Sequence, residues 1–182
     1  MVAVFCVMKR SVNEIHGMVL KAARGAGLPL GCCEDLASAA AVLARRAPDQ
    51  LDELRAALAE PHEAQACSAR IDKARVARIA PAAIDHLLVT RQPVELADTD
   101  APHLLKAYAE VAATLYATPI QCDGAGVLTL GGEMPPPLPP IASVEVDEDL
   151  WRALGELAHR IYVPASEASR VAGAGAGLTD ND

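Results

Sequence analysis

Apolar residues recur at helical spacing along much of this chain, and the stretches are bounded by residues that start or stop helices. Ile15, Met18, Val19, Ala22 and Ala26 form one stripe. Ahead of it, Ser11 and Glu14 stand at the spacing of a capping box, in which the hydroxyl accepts from an early helix N–H and the carboxylate reaches back. Gly25 or Gly27 supplies the stop. Leu36, Ala40 and Leu43 predict a second helix over 30–46, and Leu51, Leu54 and Leu58 a third that opens at Pro48-Asp49. Residues 60–80 show no clear period. Pro81 suits the first position of a helix running to about Val89. Asp100 reads as the cap of a later helix whose inward face is Leu104, Leu105, Tyr108, Val111, Ala112 and Leu115, ended by Pro119. Asp147 reads as the cap of a last helix over 148–161, with Trp151, Leu154, Leu157 and Ala158 inward.

Short apolar or alternating runs predict strands at Val2–Met8, Val94–Leu96 and Ser143–Val146, and a hairpin over 120–130 around Asp123-Gly124. Pro135–Pro140 can only be an extended, polyproline-like connector. The expected fold class is α+β: a helix-rich single domain over 1–182, with a small sheet of short strands and a hairpin packed against helices. A proline-rich connector at 131–140 and a Gly-rich C-terminal tail at 171–182 complete it.

Composition changes this picture in two ways. Hydrophobic residues make up 52% of the chain and aromatics only 3%, so the core must rely on close packing of small side chains. The charge of −8 is unevenly placed: residues 1–91 hold 12 Lys/Arg against 10 Asp/Glu, residues 92–182 hold 4 against 14. So acidic a chain, with few aromatics to stack on bases, is expected not to bind nucleic acid. Arg70, Lys73, Arg75 and Arg78 are the local exception and read as a solvated face. No apolar run approaches the roughly 18 residues of a membrane span, and no basic segment precedes Val2–Met8. The expectation is a cytoplasmic protein with no membrane partner. Five cysteines without a CxxC pair fit that compartment and read as small hydrophobes, the adjacent Cys32 and Cys33 being too close for a relaxed disulfide.

Motifs of established chemistry are scarce. Gly173-Ala-Gly-Ala-Gly177 fails as a dinucleotide loop, because only five residues follow where a helix and an acidic partner are needed. His62-Glu63 begins like a zinc-protease helix, but the second histidine's place is taken by Ala66. The five histidines have no mutual metal spacing, so no metal is expected, and no cofactor is indicated. Cys122-Asp123, on a turn, could pair with a distant histidine as nucleophile and base.

The tail is the most distinctive stretch. Ser166, Glu167 and Ser169 read as the cap and first turn of a short helix, and the glycines free backbone N–H groups to approach an anion. Three stretches, Asn13–Ile15 to Lys21–Gly27, Pro93–Asp98, and Tyr162-Val-Pro-Ala-Ser-Glu-Ala-Ser-Arg170 through to Asp182, resemble a bacterial family known only as a domain of unknown function. The resemblance implies a structured tail and assigns no activity.

The leading functional expectation is a small-molecule-binding or enzyme-associated domain that takes an anionic ligand. Arg24, Tyr162, Ser166, Glu167, Ser169 and Arg170 would supply polar contacts, and Gly173, Gly175 and Gly177 backbone donors. Two other classes stay open. One is a non-catalytic subunit whose tail completes a homo-oligomer or a partner subunit; the other is a small hydrolase or isomerase built on Cys122, Asp123 or a histidine.

Overall fold

The computed structural model describes residues 6–59 and 67–161. In chain order the elements are β1 (Val7–Ser11), α1 (Val12–Gly25), α2 (Leu30–Arg46), a 3-10 turn (Pro48–Gln50), α3 (Glu53–Ala57), β2 (Arg70–Ile71), α4 (Val76–Thr90), β3 (Val94–Leu96), α5 (Pro102–Leu115), β4 (Ile120–Cys122), β5 (Val127–Leu130), β6 (Ser143–Asp147) and α6 (Glu148–His159). The class is α+β, as the pattern predicts. α1 packs between α2 and α6, and α2 packs in turn against α4 and α5. Two small sheets flank the helices. β1 and β6 pair antiparallel, and the other four strands run in the order β2-β3-β5-β4, with β2 and β3 parallel.

Local chemistry accounts for several boundaries. The Ser11 hydroxyl accepts the Glu14 N–H at 3.1 Å while the Glu14 carboxylate accepts the Ser11 N–H at 2.8 Å, so the expected capping box is formed. These hydrogen bonds hold the Glu14 carboxyl below the usual range. Gly27, at φ +82°, turns the chain after α1. α2 spans the expected residues, and Cys33, Leu36, Ala40 and Leu43 are buried along it. Asp147 caps α6 by accepting from Asp149 and Leu150 at 2.8 and 2.9 Å. Val94–Leu96 and the 120–130 hairpin are strands where the alternation places them.

Other boundaries move, each for a tertiary reason. The first strand lies at Val7–Ser11, because β6 pairs with those residues; of the expected Val2–Met8, residues 2–5 fall outside the described ones. The third helix is split into a 3-10 turn and α3, with Leu51, Leu54 and Leu58 still buried. α4 begins at Val76 and carries Pro81 inside it. Its start is set by Asp100, whose Oδ1 accepts the Val76 N–H at 2.9 Å and whose Oδ2 lies 3.3 Å from Arg75. Asp100 therefore caps α4 and not α5. α5 opens instead with Pro102 at its first turn, and Glu53 takes its next two N–H groups. Leu115, expected inward, is 71% exposed at the end of α5, and Val111 is half-buried. α6 ends at His159, two residues early, and Leu150 joins Leu154 and Ala158 in the core.

Alanine builds much of that core. Ala22, Ala23, Ala39, Ala40, Ala80, Ala83 and Ala113 are fully buried, so helix axes come close together. At Gly25 a Cβ would stand 1.7 Å from the Leu157 carbonyl oxygen, which makes glycine obligatory where α1 meets α6. Residues 133–142, which include the proline run, form neither helix nor strand. Arg46 ties this strap to the helices: it pairs with Glu110 at 3.0 Å, and its guanidinium donates to the carbonyls of Pro136 and Pro137.

Candidate functional site

Tyr108 is the one aromatic side chain among the described residues that the core fully encloses, at 3% exposure. The apolar stripe of α5 carries it inward between α2 and α4. Its hydroxyl is buried without a hydrogen-bond partner, a situation that costs roughly 1–3 kcal/mol unless something else fills it. Tyr108 also forms part of the wall of a cavity of about 120 Å³.

The remaining walls come from three helices. α2 contributes Asp35, α4 contributes Pro81, Ile84 and Asp85, and the end of α5 contributes Val111, Leu115 and Tyr116. Both carboxylates are exposed at the rim while the tyrosine is enclosed. Partial desolvation by the cavity wall, then the negative charge of Asp85 and of Glu34, push the Asp35 carboxyl above its usual range. Burial, then the charge of Asp35, raise the Tyr108 phenol well above its ordinary range, so it stays a neutral O–H. The C-terminus of α5 adjoins the same space and adds the negative end of a helix dipole. A cation is the charge this arrangement can stabilise.

The residues expected to bind an anion are not assembled by the described structure. Arg24 is exposed in the last turn of α1, where its charge suits the helix end. Tyr162, Ser166, Glu167, Ser169, Arg170, Gly173, Gly175 and Gly177 lie outside the described residues, as do His62 and Glu63.

A second hollow, of about 550 Å³, contains Cys122, Asp123, His103 and Lys106. Its chemistry does not suit a nucleophile. Burial, then Asp123, raise the Cys122 thiol to about 11, leaving almost no thiolate near neutral pH. The Asp123 carboxylate is engaged within its own turn by the N–H groups of Ala125 and Val127 at 2.9 and 2.8 Å. His103 Nδ1 is 2.6 Å from Glu53.

With this geometry in place, comparison with known proteins adds one finding. Residues 10–86 match a family described as Protein of unknown function (DUF3726). The match covers less than half of the chain and contains Asp35 and Asp85 but not Tyr108. It includes the first of the three resembling stretches and neither Pro93–Asp98 nor the C-terminal one. No curated protein and no solved structure matches the chain. No helix among the described residues is long and apolar enough to cross a membrane.

Asp35 and Asp85 escape sequence reasoning because they are 50 positions apart and carry no motif. Tyr108 offers the one usable signal: a hydroxyl placed on the inward face of a helix, in a chain nearly devoid of aromatics, needs a partner.

Proposed function

We propose that the chain is a small-molecule-binding domain whose α2/α4/α5 cavity takes a primary ammonium group. The observation that carries this reading is a cavity rimmed by Asp35 and Asp85 and walled by Tyr108, whose buried hydroxyl has no hydrogen-bond partner. A primary ammonium has three N–H donors, and the Asp35 and Asp85 carboxylates offer it acceptors, with the Tyr108 hydroxyl behind them. Ile84, Val111 and Leu115 suit a short aliphatic stem beside it. About 120 Å³ limits the inserted part to a few heavy atoms.

Calorimetric titration with n-propylammonium and with propionate tests this reading at low ionic strength. The ammonium saturates one site and propionate does not, and Asp35→Asn weakens the ammonium by up to about fivefold, as expected for an ion pair at an exposed carboxylate. Binding of propionate in preference to the ammonium would refute it. It would favour the expected anion site around Arg170.

A further inference from the structure

A second space lies on the other side of Val111 and Leu115. These two residues are also walls of a larger groove of about 680 Å³, which lies between α2, α5 and the proline strap. Leu115, exposed at the end of α5, belongs to both linings with Val111, so the surface between the two spaces is apolar. The far part of this groove has the opposite charge. It is lined by His16, Arg45 and Arg46, with Glu110 engaged by Arg46. Arg45 is half-buried, donates one hydrogen bond to the Ala41 carbonyl at 3.2 Å, and has no carboxylate partner among the described residues. Its guanidinium keeps further donors for an anion.

Asp35 and Arg45 are both on α2, ten residues apart, which is about 15 Å along the axis of an α-helix. Four residues of extended chain span about the same length, at roughly 3.3–3.6 Å each. We infer that the two spaces together bind a short peptide of about four residues that crosses Val111 and Leu115, its amino terminus at Asp35 and Asp85 and its carboxylate at Arg45. This rests on the ammonium reading of the cavity and adds the second charge and the distance between the two. Val111, Leu115 and the wall of Pro135–Pro137 match the apolar length between the ends.

Tetra-alanine is the probe, compared with its C-terminal amide, its N-acetyl form and n-propylammonium. The free peptide binds about tenfold tighter than its amide, one charge-assisted contact at Arg45 being lost. Arg45→Gln removes that preference, and Arg45→Lys restores part of it. Acetylating the amino end abolishes binding. If amide and acid bind equally while n-propylammonium still saturates the cavity, the peptide inference is wrong and the ammonium site stands. If neither peptide nor n-propylammonium binds, both fall.

Discussion

Glu53 caps a helix that begins far from it in the chain, its Oε2 accepting the backbone N–H of Leu104 at 2.8 Å. Its Oε1 accepts the His103 N–H at 3.2 Å and lies 2.6 Å from the His103 ring nitrogen. One mostly buried carboxylate thus serves the first turn of α5, the helix that presents Tyr108. Glu53→Ala strips both backbone donors of their acceptor. It lowers stability by about 1–2 kcal/mol, measured by urea unfolding, and Glu53→Gln, which keeps an oxygen, loses less. Equal stability of all three proteins would show that the cap is idle.

Two glycines of α1 answer alanine with opposite signs. At Gly25 the new methyl meets the Leu157 carbonyl, so α1 and α6 must part, at a cost of about 1–3 kcal/mol or more. At Gly17 nothing lies within 4 Å, and Gly17→Ala stabilises the helix by up to about 1 kcal/mol. Thermal unfolding of the pair measures both. A harmless Gly25→Ala would mean that α1 and α6 are not in close contact.

Elements that depend on neighbouring residues were legible, and those that depend on distant ones were not. The Ser11–Glu14 box and the α2 stripe are complete within a few turns, so spacing alone reveals them. Asp100 shows the limit: its position just before α5 suits a local cap, yet the chain folds so that its carboxylate reaches Val76. Pro81 misleads in the same way. A proline favours a first turn, but packing of Val76, Ala77, Ile79 and Ala80 carries α4 through it. At the candidate site, the inward placement of Tyr108 could be read from α5. Its neighbours could not, since Asp35 and Asp85 meet it only through the packing of three helices.

Cys122 should be a sluggish thiol. With the group raised to about 11, alkylation by iodoacetamide in the folded protein stays slow near pH 7 and accelerates only toward that value. Mass spectrometry of the labelled peptide follows the rate. Fast labelling at neutral pH would revive the nucleophile that the Cys122-Asp123 pair suggests.

Tyr108→Phe separates binding from folding. Without ligand the hydroxyl has no partner, so its removal raises stability, by up to the roughly 1–3 kcal/mol that an unpaired buried hydroxyl costs. Affinity for n-propylammonium falls severalfold in the same variant. A large loss of stability without ligand would mean that the hydroxyl already has a structural partner.

The most direct test is the titration of Asp35, followed by carbon NMR of its carboxyl with and without saturating n-propylammonium. Partial desolvation and the charge of Asp85 raise this group in the free protein, so the ligand-free cavity takes up a proton more readily than an ordinary aspartate does. A bound cation favours the carboxylate. By linkage, the midpoint moves down with ligand, and affinity declines as pH falls through the free protein's raised midpoint. A midpoint that shifts down on saturation, at constant ionic strength, is the result the ammonium site predicts; one that stays where it is contradicts it.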